Sequence, residues 1–406
     1  MAAERSQSAL SALNTACAED IGGGRTQQDA VKAFSFPGGV TVMAVLDGHG
    51  SPNDIGGVSS RAALAELERF LANGGVKQFL DLPLYTIAFI YKMLQDLIKE
   101  AQRKLYEGIG YTVIDKDGYL VCSNGRVETI IHGGTTVTIV FIVENPGGES
   151  TVYSSHVGDS DVRVPTLETA HITTYDFAVS ELTQMMNEHV RDPDPDMRAQ
   201  IIELISSLPV KHQQGTTLMG NHSPTNEAEY CRASGREPNV QFRYDILHGI
   251  RQPLFTRAAD GTVIRYKPPP GHYVKSVSED VAALINFGEA SLAMTRALGD
   301  LYLSSHGLSN MPTVSITNVP PGTPIIVGSD GIWDNWTAPA FSAYISALID
   351  EYNAMESPSV PLPKYIVDKL LEYTKSEGRK NFGSSMDNMS LACYCGTTTS
   401  KRAKCS

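Results

Sequence analysis

Four aspartates stand where apolar, β-prone segments give way to Gly, Ser or Asn: Asp47-Gly48-His49-Gly50, Gly158-Asp159-Ser160, Ser329-Asp330-Gly331 and Asp387-Asn388. A strand that ends in Asp and then turns sharply projects the carboxylate out of the scaffold. Several such ends converging make an all-oxygen cage, the ligand set that hard divalent cations prefer. Taken alone, an Asp-Gly pair is usually just a turn. Four of them behind apolar runs require an element order that brings strand ends together.

That order can be read along the chain. Val40–Leu46 is rich in β-branched residues and stops at Asp47. Ser59 or Ser60 can cap a helix running to about Leu71, closed by Gly74-Gly75, and a longer amphipathic helix is expected from Leu84 to Tyr106. Strand signals follow at Tyr111–Ile114, Tyr119–Cys122, Thr135–Val143, Thr151–Val157 and Asp161–Val164, spaced as an antiparallel meander. The character changes over 165–285, where helices near 176–189 and 196–207 alternate with polar stretches and Pro268-Pro269-Pro270. Pro324–Gly328 is a short buried strand ahead of Asp330. Thr337 can cap a helix to about Tyr352, Leu362–Tyr373 forms another, and Met389–Cys395 is a strand just after Asp387. The whole predicts an α+β fold: two antiparallel sheets packed as a sandwich and flanked by helix pairs. We expect one domain over 1–406, with 165–285 as an enlarged insertion. Residues 1–20 read as a disordered leader or a short helix.

Bulk properties narrow the class. The chain has 406 residues, 42% apolar and 19% charged, as in an ordinary globular protein, and its net charge is −12. That balance disfavours a nucleic-acid partner, since the one basic tail, Lys401-Arg402-Ala403-Lys404, is short and expected to fray. The longest apolar stretch, Leu84–Ile98, carries Lys92 and Asp96, so no membrane span is expected. Six scattered cysteines and no apolar leader point to reduced thiols in an intracellular protein, cytoplasmic or nuclear. Cys393 and Cys395 share one strand face, read as buried thiols before a zinc pair. Trp333 and Trp336 read as core aromatics.

An ordered set of motifs resembles the metal-dependent serine/threonine protein phosphatases of the 2C type. They are Gly24-Arg25 with Gln28-Asp29; Leu46-Asp47-Gly48-His49-Gly50; Gly133-Gly134-Thr135-Thr136; and Val157-Gly158-Asp159-Ser160. Ala293-Met294-Thr295-Arg296-Ala297-Leu298-Gly299-Asp300, Ser329-Asp330-Gly331-Ile332-Trp333-Asp334 and Asp387-Asn388-Met389-Ser390 complete the set. The resemblance runs from about residue 22 to 395, with 165–285 as its weak part. It implies a binuclear Mg²⁺ or Mn²⁺ centre that activates water to hydrolyse phosphoserine and phosphothreonine in phosphoproteins.

The same resemblance assigns roles. Asp47 matches the bridging carboxylate, with the Gly48 carbonyl as a further ligand; Asp330 and Asp387 match ligands of one ion. Asp159 matches a ligand of a third, weaker ion, or is a turn residue. Arg25 matches the arginine that grips phosphate through its planar fork. His49 matches the general acid for the leaving oxygen, or else orients an Asp or a water. Thr135, Thr136, Arg296 and Asp300 read as architectural. The chain departs from the family where Arg, three intervening residues and then Glu-Asp are common: here Gln28-Asp29 replaces that pair, one residue closer to Arg25. Either Asp29 takes the role of that Glu, which is our choice, or Gln28 does and Asp29 acts through water. A silent phosphatase-like scaffold that binds a protein partner is the alternative reading, and Gln28 is what favours it.

Overall fold

The computed structural model describes residues 14–396 except 52, 166–170, 189–194, 215–216, 219–221, 247–250, 272–273 and 278–280. Residues 1–13 of the expected leader and the basic tail at 401–404 lie outside the described residues.

Val40–Leu46 is buried along its whole length because both of its faces are covered. Val42, Ala44 and Leu46 point toward helices, while Met43 and Val45 point into the space between two sheets, the period-2 alternation of a strand. The strand belongs to a seven-stranded antiparallel sheet in the order Val210–Gln214, His171–Asp176, Thr313–Val319, Ser150–Val157, Val137–Glu144, Val40–Leu46, Ala30–Phe36. Facing it is a four-stranded antiparallel sheet in the order Thr15–Asp20, Met389–Cys395, Pro324–Gly328, Asp161–Arg163. Val140, Ile142 and Val152 from the first sheet meet Ile325, Val327, Ala392 and Tyr394 from the second.

Helices close the outer faces. Ile55–Phe70 and Pro83–Gly108 bury Ala63, Leu67, Ile87, Tyr91 and Leu94 against the larger sheet. Ala338–Ala354 and Leu362–Phe382 bury Phe341, Ile345, Ile366 and Leu370 against the smaller one, where Trp333 and Trp336 join the same core. The expected sandwich with flanking helix pairs is therefore the observed architecture. Cys17, Cys122, Cys231, Cys393 and Cys395 are all free thiols, with the Cys393 and Cys395 sulfurs 3.9 Å apart and buried.

Four local expectations change. Thr15–Asp20 is an edge strand paired with Met389–Cys395, from Thr15 opposite Tyr394 to Asp20 opposite Met389, not a leader or a helix. The first long helix starts at Ile55, so Ser59 and Ser60 are interior residues whose hydroxyls donate to the carbonyls of Ile55 and Gln28. Gly74-Gly75 does not end the helical path either; it forms a kink with Gly74 at φ +99°, and a helical turn resumes at Val76–Asp81. The last helix runs on to Phe382, past Tyr373.

Within 165–285 the chain splits its loyalties. Helices Ser180–Glu188 and Pro195–Ser207 bury Leu182, Met186, Ile201 and Ile205 in the core of the larger sheet. The helix Glu227–Arg236, capped by Asn226, and a small sheet around Gln241–Asp245 and Ala283–Phe287 build a separate core with Ala297, Leu303 and Leu308. Arg296 ties these parts together. Its buried guanidinium pairs with Asp176 at 2.8 Å and with buried Glu229, which in turn holds Arg232 at 2.9 Å. Arg296→Met would leave Glu229 buried with half its compensation, so stability should fall by about 3–5 kcal/mol in urea unfolding. A loss below about 1 kcal/mol, the size expected at the exposed pair Lys364–Asp368, would show that this network does not anchor the segment.

Candidate functional site

Asp47 is held from below by the sequence Gly134-Thr135-Thr136. Its N–H donates to Thr136 Oγ1 at 3.1 Å, and its carbonyl accepts from the Thr136 N–H at 2.8 Å and Thr135 Oγ1 at 3.0 Å. Both threonines are fully buried, so their hydroxyls serve the backbone of the strand end, as read from the sequence. Gly48 packs so tightly that an added Cβ would lie 2.4 Å from the Gly56 carbonyl oxygen.

Asp29, Asp330 and Asp387 share the electrostatic field of Asp47. Burial raises the Asp47 carboxyl well above the carboxylate range, and Asp29, Asp330 and Asp387 add to the shift. Asp29 is 3% exposed, and neither of its carboxylate oxygens has a hydrogen-bond partner. Burial and then the charges of Asp330 and Asp387 push it up to about 7, although the hydroxyls of Ser329 and Ser390 lie near enough to offset part of this. Asp387 is pushed up to about 6 by burial and Asp330, against the Asn388 N–H that donates to it at 2.7 Å. One oxygen each of Asp330 and Asp159 is likewise buried and unpartnered. Among the described residues, no three His, Cys, Asp or Glu side chains are drawn in closely enough to enclose an ion. What converges is a set of mutually repelling carboxylates with unused lone pairs, and a divalent cation matches that donor set.

The Gln28-Asp29 pair divides cleanly. Gln28 turns its amide away, donating at 3.3 Å to the Gly50 carbonyl and to Asp54, while its N–H donates to Asn388 Oδ1 at 2.8 Å. Asp29 is the member aimed at the other carboxylates. Arg25 is exposed on the loop just before them and makes no hydrogen bond or ion pair among the described residues. That loop is pinned close to Asp387: a Cβ on Gly22, at φ +62°, would lie 1.9 Å from the Asp387 carbonyl oxygen, and the Gly23 N–H donates to Met386 at 2.8 Å.

His49 lies on a two-residue strand that pairs with Gly134-Thr135, which pairs in turn with Leu298-Gly299. This small sheet sets His49 Nε2 2.5 Å from Asp300 Oδ2. Burial opposes an imidazolium, but Asp300, helped by Asp159 and Asp330, outweighs it and holds the His49 pKa above its ordinary value. Its Nδ1 is buried without a partner. Asp300 is therefore more than the architectural residue its motif leads one to expect. It favours the imidazolium and orients the ring, and it does so from a left-handed backbone at φ +41°. Gly134 permits the approach, since a Cβ there would meet Asp300 Oδ2 at 2.5 Å.

A second residue invisible to motif reading is Lys275. Its ammonium contacts Asp159 and lies 3.5 Å from Asp330 Oδ2.

Two measurements check this geometry. A carboxyl whose pKa is raised by folding takes up a proton on folding, so its contribution is present at low pH and lost as pH rises toward about 6 for Asp387 and about 7 for Asp29. In chelator, Tm should therefore fall between about pH 4 and about pH 7, and Asp29→Asn should flatten the slope. A wild-type Tm that is level or rising over that window would place the carboxylates out of each other's field. Separately, Asp300→Asn should lower the His49 pKa followed by NMR titration; an unchanged titration would break the pairing of the two.

Two family models described as protein phosphatase 2C match the chain, one over residues 18–212 and the other over 208–378. Similar solved structures include a C. elegans sex determining protein (16% identity, TM-score 0.44), covering 95% of this chain and 65% of that one. This chain thus spans about two thirds of that protein's length. A phosphatase from Toxoplasma gondii (13% identity, TM-score 0.44) covers 94% of this chain and 92% of its own. A serine/threonine phosphatase of S. agalactiae (14% identity, TM-score 0.42) covers 94% and 98%. No curated protein matches the chain.

Proposed function

From the premise that this chain belongs to the protein phosphatase 2C family of serine/threonine phosphatases, we propose that it hydrolyses phosphoserine and phosphothreonine in proteins at a binuclear Mg²⁺ or Mn²⁺ centre. The observation that carries this reading is the meeting of Asp29, Asp47, Asp330 and Asp387 in one mutually repelling field, with both oxygens of buried Asp29 and one of Asp330 left without a partner. These four side chains, with the Gly48 carbonyl, would hold two divalent ions. Asp159 beside Asp330 offers a place for a third. Ions bound there would neutralise phosphate charge and sharpen a water into a nucleophile near neutral pH.

The chain's own residues do the rest. Arg25, exposed beside the Asp387 backbone, grips the phosphoryl oxygens through its guanidinium fork. Asp300 favours the protonated form of His49, raising its pKa above the ordinary histidine value against the opposing effect of burial. With Nε2 committed to Asp300, Nδ1 is the position from which the proton passes to the departing serine or threonine oxygen. Asp29 replaces the missing Glu as the acidic ligand, and Gln28 braces the Gly50–Asp54 turn. The chain has no Cys-x5-Arg loop, so no thiol attack is available to it. The 165–285 segment is where we place substrate choice within a single catalytic unit over 1–406.

Purified protein should hydrolyse a phosphoserine or phosphothreonine peptide only with Mn²⁺ or Mg²⁺, and far faster than it cleaves a dinucleotide. Asp47→Ala should remove at least about a thousandfold of kcat/KM. Arg25→Ala should raise KM more than it lowers kcat. Metal-saturated protein without turnover, its fold intact, would instead favour the silent scaffold. No helix among the described residues is long and apolar enough to cross a membrane.

A further inference from the structure

Lys275 is the one basic side chain among the described residues in contact with the carboxylate cluster, and it comes from the 165–285 segment rather than from a strand end. Its ammonium touches Asp159 and lies 3.5 Å from Asp330, with all three side chains about four-fifths or more buried. The backbone around it is pinned. The Val277 N–H donates to the Asp334 carbonyl at 2.9 Å, one turn beyond Asp330, and Ser276 is 3% exposed. Lys275 is therefore delivered to these two carboxylates by a docked stretch of chain and does not reach them as a loose surface side chain. Burial disfavours its charge, but Asp159, Asp330 and Asp334 outweigh that and keep it an ammonium.

We propose that Lys275 is a tethered counter-cation for the Asp159–Asp330 pair, and that it competes there with a divalent ion. This rests on the binuclear reading above and deepens it. A single positive charge on the chain suppresses repulsion between the two carboxylates at no cost in free ligand, because its effective concentration is set by the tether. A divalent ion brings twice the charge but must displace the ammonium. The chain therefore carries two ions on Asp29, Asp47, Asp330 and Asp387, and fills the Asp159–Asp330 position with its own lysine until metal is abundant.

The test is the number and affinity of Mn²⁺ ions bound, read from the EPR signal of free Mn²⁺ for wild type, Lys275→Met, Lys275→Gln and Lys275→Met with Asp159→Asn. Removing the ammonium by either single substitution should strengthen the weakest Mn²⁺ phase about tenfold or more. The double variant should lose that phase and keep the two tighter ions. Using both Met and Gln keeps the test alive should one of them fold poorly. Wild-type and Lys275 variants with superimposable isotherms would overturn the competition while leaving the binuclear centre standing. Absence of any bound Mn²⁺ in wild type would sink the binuclear reading, and the competition with it.

Discussion

Negative charges forced together govern this structure. Aspartates from distant parts of the chain end up within one another's field, all but Asp387 partly or fully buried, and a low-dielectric surrounding raises the cost of every like-charge pair. The sandwich relieves this only in part, through the Ser329 and Ser390 hydroxyls near Asp29 and the Asn388 N–H on Asp387. The remainder of the fold can be understood as the frame that holds these groups in place against their repulsion. Two sheets back to back fix the strand ends, and a helix pair on each outer face supplies the apolar burial, worth about 25 cal/mol per Å², that stabilises the frame.

The frame is stiffest where the site needs it. Val40–Leu46 has no solvent-facing side, and a slip by one residue would exchange the side chains fitted against the helices with those fitted against the second sheet and would move Asp47 off the strand end. Thr135 and Thr136 lock the backbone of Asp47, and Gly134 lets three short strands approach closely enough for His49 and Asp300 to meet. The acid–base pair and the carboxylate cluster thus share one support, the Gly133–Thr136 segment. Mutations in that segment would disturb both at once.

Much of this was legible beforehand because it depends on local pattern. A β-branched run that stops at Asp-Gly is visible in a line of text, and so is a helical stripe such as Ile87, Ile90, Leu94 and Ile98. What escaped has a physical explanation in each case. Thr15–Asp20 is short, built of small residues, and exists only because a partner strand some 370 residues away accepts it. The true start of the first helix is masked by Gly56-Gly57, poor helix formers that are required because a Cβ on Gly56 would come within 2.6 Å of the His49 nitrogen. Asp300 sat in a recognised motif, but a carboxylate that orients a histidine looks the same in sequence as one that braces a turn. Lys275 lies in no motif at all, and only tertiary structure places it.

The strand Met389–Cys395 lies in the middle of its sheet, between Thr15–Asp20 on one side and Pro324–Gly328 on the other. Those neighbours leave the ribosome long before it does, and each must wait with an unpaired edge. Late arrival of the central piece means that long-range loops close at the end of folding, a slow topology that exposes sticky edges in the meantime. Asp387 comes just before this strand, so the nascent protein stays unable to complete its reactive centre until this central strand has emerged and paired.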